Sequence, residues 1–250
     1  MDYRKGTHAC GVPGQAVGAE MQLDCRHIHF RHPGTEQLLF EDLNLSFDGP
    51  GFHAFFGPSG VGKSSLAHII TGRLRADGGE VHFAGARPPL YTHNQERLPD
   101  WSSIGRHLER ITPTAAVEKK NSLVELFGLS PLLKHRYSQL SLGQQNRINL
   151  VRYLVQDFQV LIMDESLANV DEATRVQILL AMKSMFPQGL FIYISHNVME
   201  VATYCRRIWV LRGQEKAPPA VLVQGRDLYS GQHLDRSALE RVMLEIMNAA

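Results

Sequence analysis

A glycine-rich loop at residues 57–64, GPSGVGKS, restricts the folds open to this chain more than any other feature of its sequence. The loop follows a short apolar segment and precedes a predicted helix over residues 64–71, so it joins a buried strand to a helix N-terminus. Its glycines let backbone N–H groups curl around phosphate oxygens, while Lys63 can reach the β and γ phosphates and the Ser64 hydroxyl can ligate Mg²⁺. The positive end of the helix also favours an anion, so the pattern predicts a nucleotide-binding loop. The predicted nucleotide-binding residues of this region are Gly57, Pro58, Ser59, Gly60, Val61, Gly62, Lys63, Ser64 and Ser65.

Strand-like apolar runs alternate with helical patterns along the rest of the chain. The runs cover residues 52–56, 160–163, 190–194 and 207–211, and the helical patterns cover residues 64–71, 144–155 and 171–185. This alternation predicts an α/β fold of the phosphate-loop NTPase type with a mainly parallel core sheet. Near the N-terminus, residues 23–30 and 43–47 alternate between apolar and polar side chains on either side of a Pro-Gly turn, which predicts an antiparallel β element.

The predicted domain organisation has one main domain, over residues 21–235. Within it, residues 95–150 lack buried strand-like runs and contain helical patterns, which predicts an inserted helical subdomain. Residues 236–250 are predicted to form a C-terminal helix. Residues 1–20 are rich in glycine and small side chains and favour a disordered tail, with a translation start at Met21 as the alternative.

Composition and charge exclude several classes of protein. The net charge of the 250 residues is +1, so the chain lacks the basic excess that general nucleic-acid binding needs. No apolar run approaches the about 20 residues of a membrane span, so the chain is not expected to cross a bilayer unaided. Its 3 cysteines form no C-x-x-C pair, which favours a reducing compartment and argues against a disulfide framework or a zinc site.

Two adjacent acids, Asp164 and Glu165, follow the apolar run at residues 160–163. In a phosphate-loop fold this strand lies beside the loop, so Asp164 would hold Mg²⁺, usually through water. Glu165 would then act as a general base that polarises the attacking water. The alternative is that the two acids only cap the helix that follows.

Residues 137–147, YSQLSLGQQNR, resemble the LSGGQ signature and its flanks in the ATP-binding subunits of ABC transporters. The resemblance extends over residues 23–211, and the signature separates ABC ATPases from other phosphate-loop enzymes. A serine at a helix start offers a second anion site, and the resemblance implies that this site meets the γ-phosphate held by a paired subunit. Leu142 replaces a glycine of the signature, so its side chain must point away from the phosphate. The implied contact residues are Ser141, Leu142, Gly143 and Gln144.

Two further residues match the family in position and context. Gln95 resembles the Q-loop glutamine, which touches Mg²⁺ and the water and moves with the transmembrane partner. His196 resembles the switch histidine, which hydrogen-bonds the γ-phosphate and orients the water and Glu165. The family usually has aspartate after this histidine, whereas this chain has Asn197. The resemblance therefore implies that Glu165, His196 and Gln95 are catalytic.

Two other matches to the family are partial. Asp171 corresponds to the D-loop acid, although Ser166 and Ala168 replace the usual proline and serine, so communication between two ATP sites is expected to differ. His32 occupies the place where the family stacks an aromatic side chain, usually tyrosine, on adenine. Phe30 is the alternative for this role, although the strand alternation points its side chain inward.

The resemblance implies an ATP-hydrolysing subunit that powers the transport of a small solute, with ATP and Mg²⁺ as cofactors. The implied Mg²⁺ ligands are Ser64, Gln95 and Asp164. Expected partners are a separate membrane permease, a second or paired ATP-binding subunit and an extracellular solute-binding protein, but no nucleic acid. The chain would then lie peripherally at the cytoplasmic face of the membrane. The segment L-P-D-W at residues 98–101 is reminiscent of the nitrate, sulfonate and taurine importers, and Trp101 would suit partner docking if it is exposed.

Other function classes fit the sequence less well. A DNA-related ABC ATPase would need long heptad arms or a basic face between the phosphate loop and the signature, and the sequence has neither. A GTPase would need an Asn-Lys-x-Asp guanine reader, which is absent, and a kinase would not be expected to carry the signature. A regulator of the same fold that does not hydrolyse ATP stays open as an alternative, because Leu142 and His32 depart from the family pattern.

Overall fold

The computed structural model describes residues 22–213 and 216–250. Within them, strands and helices alternate along most of the chain. In chain order the elements are β1 (Gln22–Arg31), β2 (Leu38–Asp48), β3 (Gly51–Phe56), α1 (Lys63–Ile70), β4 (Gly78–Phe83), β5 (Leu90–His93), α2 (Ile104–Ile111), α3 (Val117–Leu126), α4 (Leu142–Leu154), β6 (Val160–Asp164), α5 (Glu172–Met185), β7 (Leu190–Ile194), α6 (Val198–Tyr204), β8 (Arg207–Leu211), β9 (Ala220–Gln224) and α7 (Arg236–Ala249).

The core is a six-stranded sheet with the order β5-β6-β7-β3-β8-β9. Its strands are parallel except for β9, which runs antiparallel to β8. Every residue of β6 and β7 is buried, as expected for continuous apolar strands covered on both faces. The predicted α/β class with a mainly parallel core sheet is confirmed, and all the parallel strands end at the same edge of the sheet.

A three-stranded antiparallel sheet, with the order β2-β1-β4, covers one face of the core sheet. Its buried side chains share a hydrophobic core with β3 and α1, as in the edge-to-face contact of Phe47 with Phe55, whose ring centroids lie 5.6 Å apart. This sheet confirms the predicted antiparallel element. The strand predicted at residues 43–47 is longer in the structure, because β2 begins at Leu38.

The segment between β5 and α4 contains only helical elements. These are α2, α3 and three short 3-10 turns at Thr114–Ala116, Ser130–Leu132 and Tyr137–Gln139. Their apolar side chains, including Leu108, Leu123 and Phe127, join the core on the other face of the sheet. The limits predicted for the helical subdomain and for the C-terminal segment remain predictions, although α7 lies within that segment.

The predicted tail, residues 1–20, and the alternative start at Met21 lie outside the described residues. Among the described residues, no helix combines the length and the apolar character that a bilayer span requires.

Candidate nucleotide-binding and catalytic site

The phosphate loop requires glycine at two positions because of its backbone and its neighbours. Gly57 has a φ of 141°, and a Cβ there would lie 2.4 Å from the carbonyl oxygen of Leu211. Gly62 has a φ of 104°, and a Cβ there would lie 2.6 Å from the ring of Phe40. Larger residues would be strained at both positions, so the loop keeps its backbone N–H groups open to an anion.

The ammonium group of Lys63 lies inside this loop. Its Nζ donates hydrogen bonds to the carbonyl oxygens of Gly57 and Pro58, both at 2.8 Å. Burial lowers the pKa of Lys63, while the carboxylates of Asp164 and Glu165 act in the opposite direction. A desolvated cation beside the loop amides therefore favours a multiply charged phosphate.

Asp164 is the last residue of β6 and is buried. The hydroxyl of Tyr91 donates a hydrogen bond of 2.8 Å to Asp164 Oδ2. Asp164 shares a cavity of about 360 Å³ with Ser64, the first residue after Lys63. The cavity is lined by Ser64, His68, Tyr91, His93, Asn94, Gln95, Asp164 and Glu165. The structure thus brings the phosphate loop, both acids and Gln95 to one place.

Glu165 has a left-handed backbone conformation, with a φ of 50°. Its N–H donates to the carbonyl oxygen of Ile194 at 3.0 Å, which anchors the turn at the strand end. The side chain of Glu165 has two partners, His196 Nε2 at 2.6 Å from Oε1 and Asn94 Nδ2 at 3.0 Å from Oε2. A non-glycine residue held at positive φ is typical of functional sites, and here it directs a carboxylate into the cavity.

Asn94, rather than Gln95, is the amide that contacts Glu165. Gln95 lines the same cavity, but its side chain is exposed. Nothing in the sequence pattern singles out Asn94, because β5 is too short and too polar to be predicted as a strand. The only available signal is its position immediately before the glutamine that resembles the family residue.

A buried carboxylate, Glu200, organises the loop that carries His196. It accepts hydrogen bonds from Tyr193, Ser195 and Asn197, and it forms an ion pair with Arg175. Burial and this carboxylate raise the pKa of Tyr193, so the phenol stays protonated and acts as a donor. Glu200 was not predicted from the sequence, and only its position four residues after the histidine links it to the site.

The signature residues lie at the N-terminus of α4. Ser141 Oγ accepts from the N–H of Gln144 at 3.3 Å, while Gln144 Oε1 accepts from the N–H of Ser141 at 2.9 Å. The helix therefore begins at Leu142, two residues before the predicted start, because this reciprocal cap stabilises the first turn. Leu142 is 51% exposed. A Cβ at Gly143 would lie 2.3 Å from the carbonyl oxygen of Asn169, so this position requires glycine for packing within the chain.

Asp171, the predicted D-loop acid, caps the N-terminus of α5. Its Oδ1 accepts from the N–H of Thr174 at 2.9 Å, and the hydrogen bonds of Thr174 lower the pKa of this exposed carboxyl. Ser166, which replaces the usual proline, is buried and donates to the carbonyl oxygen of Thr92 at 3.1 Å. Serine at this position therefore connects the start of the D-loop to β5 through a hydrogen bond that proline could not donate.

His32 lies beside the phosphate loop, with its Nε2 3.1 Å from the hydroxyl of Ser65. Its side chain is exposed and can be reached by a nucleotide base. Phe30 is only 3% exposed and meets His32 edge-on, with ring centroids 5.1 Å apart. Phe30 is thus part of the hydrophobic core, which favours His32 over Phe30 as the residue that would stack on adenine.

The donor set in the cavity fits magnesium better than a transition metal. Among the residues that the structure describes, no group of three or more His, Cys, Asp or Glu side chains could hold a metal. Ser64 and Asp164 provide one hydroxyl and one carboxylate on the wall of a polar cavity. Magnesium is usually held by one or two carboxylates together with waters and substrate phosphates, so a sparse oxygen site of this kind suits it.

A phosphate loop between β3 and α1, with two acids at the end of a parallel strand, defines the class of phosphate-loop NTPases. The family model described as "ABC transporter" matches residues 40–168, which is more than half of the chain. The chain therefore belongs to the ABC transporter family.

Two curated relatives are named as import or transport ATP-binding proteins. The maltose/maltodextrin import ATP-binding protein MalK of Yersinia pestis bv. Antiqua (strain Antiqua) is 31% identical over 195 residues, covering 70% of this chain and 52% of that protein. The multiple sugar-binding transport ATP-binding protein MsmK of Streptococcus mutans is 27% identical over 210 residues, covering 76% of this chain and 55% of that protein. The chain thus spans about half the length of these relatives.

Solved structures agree on the fold. An inward-facing putative metal-chelate type ABC transporter matches with a TM-score of 0.68 and 17% identity, covering 83% of this chain and 84% of that chain. A bacterial Atm1-family ABC exporter with ATP bound matches with a TM-score of 0.71 and 17% identity, covering 96% of this chain and 44% of that chain. At this identity the likeness concerns the fold alone.

Proposed function

We propose that this chain hydrolyses ATP and thereby powers the transport of a small solute across the cytoplasmic membrane through a separate permease. The observation that carries the proposal is the arrangement around Glu165. This carboxylate is held between His196 and Asn94, and it faces the cavity that Ser64 and Asp164 also line. A carboxylate in this position can accept a proton from a water molecule that attacks the phosphate.

The reaction breaks the bond between the γ phosphorus and the oxygen that bridges to the β phosphate, and it forms ADP and inorganic phosphate. Glu165 accepts a proton from the attacking water as the water oxygen approaches phosphorus. The contact of His196 with Oε1 keeps the carboxylate in one orientation and supports a role for this imidazole near the γ-phosphate. Lys63 neutralises charge on the β and γ phosphates.

Ser64 and Asp164 would hold the magnesium ion, with Gln95 as the third proposed ligand, because all three line the same cavity. When bound, the ion neutralises charge that develops on the phosphate oxygens. Asn94 has a separate role in this proposal, since its amide is already engaged with Glu165.

A second copy or a paired subunit completes the site in this proposal. Ser141 and Gln144 cap only their own helix, and residues 141–144 are absent from the described cavity beside the phosphate loop. The first amides of a helix have no acceptor within it, so the N–H groups of Leu142 and Gly143 can bind an anion from outside. The γ-phosphate of a nucleotide on the partner is that anion, and its loss after hydrolysis would open the dimer.

The proposed permease contact lies near the helical segment, where Trp101 is 73% exposed. Its neighbour Asp100 is anchored by hydrogen bonds to Ser138, just ahead of the signature. A partner that presses on this loop would therefore act on the segment leading into α4. A membrane-peripheral place at the cytoplasmic face and an extracellular solute-binding protein complete the proposal for an importer.

The solute class is also a proposal. The L-P-D-W segment at residues 98–101 supports the nitrate, sulfonate and taurine branch, whereas the curated relatives are named for maltose/maltodextrin and multiple sugars. A small polar solute is common to both, and affinity measurements on the proposed solute-binding protein would separate them.

The test of this function is phosphate release by the purified protein and by its Glu165→Gln variant. We expect turnover to fall about 100-fold, as for the loss of a general base, while ATP binding persists. Glu240→Gln, at an exposed position of α7, is the matched control and should keep the parent rate. Parent-like turnover by Glu165→Gln would refute the proposed role of Glu165.

The transport role needs a separate experiment, which is copurification of the tagged chain from membranes. We expect a multi-span membrane protein to copurify with the parent and to be lost with Trp101→Ala. ATP hydrolysis without any membrane partner would favour an ABC-type ATPase that has no transport role.

A further inference from the structure

The edge strand β5 places one tyrosine against the acid that ends β6. Tyr91 is only 4% exposed, and its hydroxyl donates to Asp164 Oδ2 at 2.8 Å. A phenol is protonated at neutral pH, so the Tyr91 hydroxyl is the donor in this hydrogen bond. This hydrogen bond takes one of the two oxygens of Asp164 and thereby restricts how the carboxylate can rotate.

The ring of Tyr91 is itself held from several sides. The ring of His68 lies 4.6 Å from it, the ring of His93 lies 5.6 Å from it, and the guanidinium carbon of Arg73 lies 4.8 Å from its centroid. His68 belongs to α1, four residues after Ser64, so both lie on one face of the helix that follows the phosphate loop. The tyrosine ring therefore packs against the helix that carries Ser64 while its hydroxyl holds Asp164.

We propose that Tyr91 is a positioning residue that orients Asp164 toward the divalent cation accompanying the nucleotide. The inference rests on the proposed function, because it assigns the cation to Ser64 and Asp164. Groups that hydrogen-bond a metal-ligating carboxylate fix its orientation, and their removal typically weakens metal binding about 10- to 100-fold. Tyr91 does not touch the nucleotide in this scheme, so its effect should be confined to the cation.

The experiment measures nucleotide and cation binding separately in the Tyr91→Phe variant. The first readout is the affinity for a fluorescent ATP analogue in excess EDTA, which we expect to stay within about twofold of the parent. The second is the Mn²⁺ concentration that half-saturates the complex of the protein with ATP, followed by the loss of the free Mn²⁺ electron paramagnetic resonance signal. ATP is kept below the protein concentration, and the Mn²⁺ that ATP alone binds is subtracted with a protein-free titration. We expect this concentration to rise about 10-fold.

Tyr193→Phe is the matched control, because it removes an equally buried hydroxyl that donates to a different carboxylate, Glu200, at 2.8 Å. It should leave the Mn²⁺ half-saturation unchanged. If Tyr91→Phe does not fold, His68→Ala loosens the same ring and should raise the half-saturation about threefold. A half-saturation within the error of the parent in the folded variant would overturn the inference, whereas a parent that fails to bind Mn²⁺ with ATP would contradict the proposed function instead.

Discussion

The carboxyl end of the core sheet and the N-terminus of α4 both carry residues that we propose to contact a nucleotide, but contacts within the chain organise only the first into a cavity. At the sheet end, Glu165 has two side-chain partners and the ammonium of Lys63 is surrounded by loop carbonyls. At α4, the side chain of Ser141 bonds, among the described residues, only within its own turn, and Leu142 projects outward with half of its surface exposed.

This difference separates residues that are held by contacts within the chain from residues that are free to contact a partner. The sheet end is preorganised by contacts within the chain, so its variants should affect the bound nucleotide directly. The start of α4 is capped and stable without any ligand, so its variants should leave the folded chain intact and affect only a contact made from outside.

Lys63→Ala should have the largest effect. The buried ammonium is the cation closest to the expected phosphates, and removing hydrogen bonds to a charged group at this strength should weaken ATP binding about 100-fold. Equilibrium binding of a fluorescent ATP analogue to the isolated chain checks this. Lys134→Ala, at an exposed position before the signature, should bind like the parent. Unchanged affinity in Lys63→Ala would show that the sheet end is not the phosphate site.

Leu142→Asp should impair the contact proposed at the start of α4 without affecting the sheet end. The substitution would add a negative charge beside the amides proposed to bind the phosphate of the partner's nucleotide, so we expect steady-state turnover to fall about 30-fold. Binding of ATP to the single chain should stay at the parent value, because Leu142 makes no contribution to the sheet end. Leu244→Asp, which alters an exposed apolar residue of α7, is the control and should not change turnover. A loss of ATP affinity in the isolated Leu142→Asp chain would contradict the separation.

Asn94→Ala should lower turnover about 10-fold, since it removes a hydrogen bond to the Glu165 carboxylate. Single-turnover kinetics with saturating ATP would detect the effect on the chemical step. Asn44→Ala, an exposed asparagine of β2, serves as the control. Gln95→Ala should be measured beside it. If the rate of the chemical step falls in Gln95→Ala and not in Asn94→Ala, then the contact of Asn94 with Glu165 does not contribute to hydrolysis.

His32→Ala should have the smallest effect, about a threefold loss of ATP affinity, because stacking by a single imidazole is weak. Affinity for inorganic tripolyphosphate should not change, since it lacks a base. His82→Ala, on the exposed surface of β4, is the control. Equal losses for ATP and tripolyphosphate would place His32 in the phosphate site, through its contact with Ser65, and not beside adenine.

The sequence is most informative where one local pattern decides the structure. Continuous apolar runs predict β6 and β7 with nearly their observed limits, because strands buried on both faces have no polar positions. The phosphate loop is equally predictable, since its glycines are required by its backbone. The position of Glu165 can be predicted from these two features together, because an acid that directly follows a buried strand beside the phosphate loop must lie near that loop.

The unpredicted features depend on contacts between distant parts of the chain. Tyr91 and Asp164 are 73 residues apart, and β5 consists of four residues of which three are polar or titratable, so no periodicity marks it. Glu200 is buried only because three donors and Arg175 surround it. Such networks become visible only once the sheet order is known, which is why Asn94, Tyr91 and Glu200 were not predicted.

The most direct test of the central claim is light scattering of the Glu165→Gln variant with saturating ATP, and separately with ADP. We expect a stable dimer with ATP and a monomer with ADP, because in the proposed dimer the start of α4 in one copy binds the γ-phosphate held by the other. A variant that is saturated with ATP and remains monomeric at concentrations well above its ATP dissociation constant would contradict the claim.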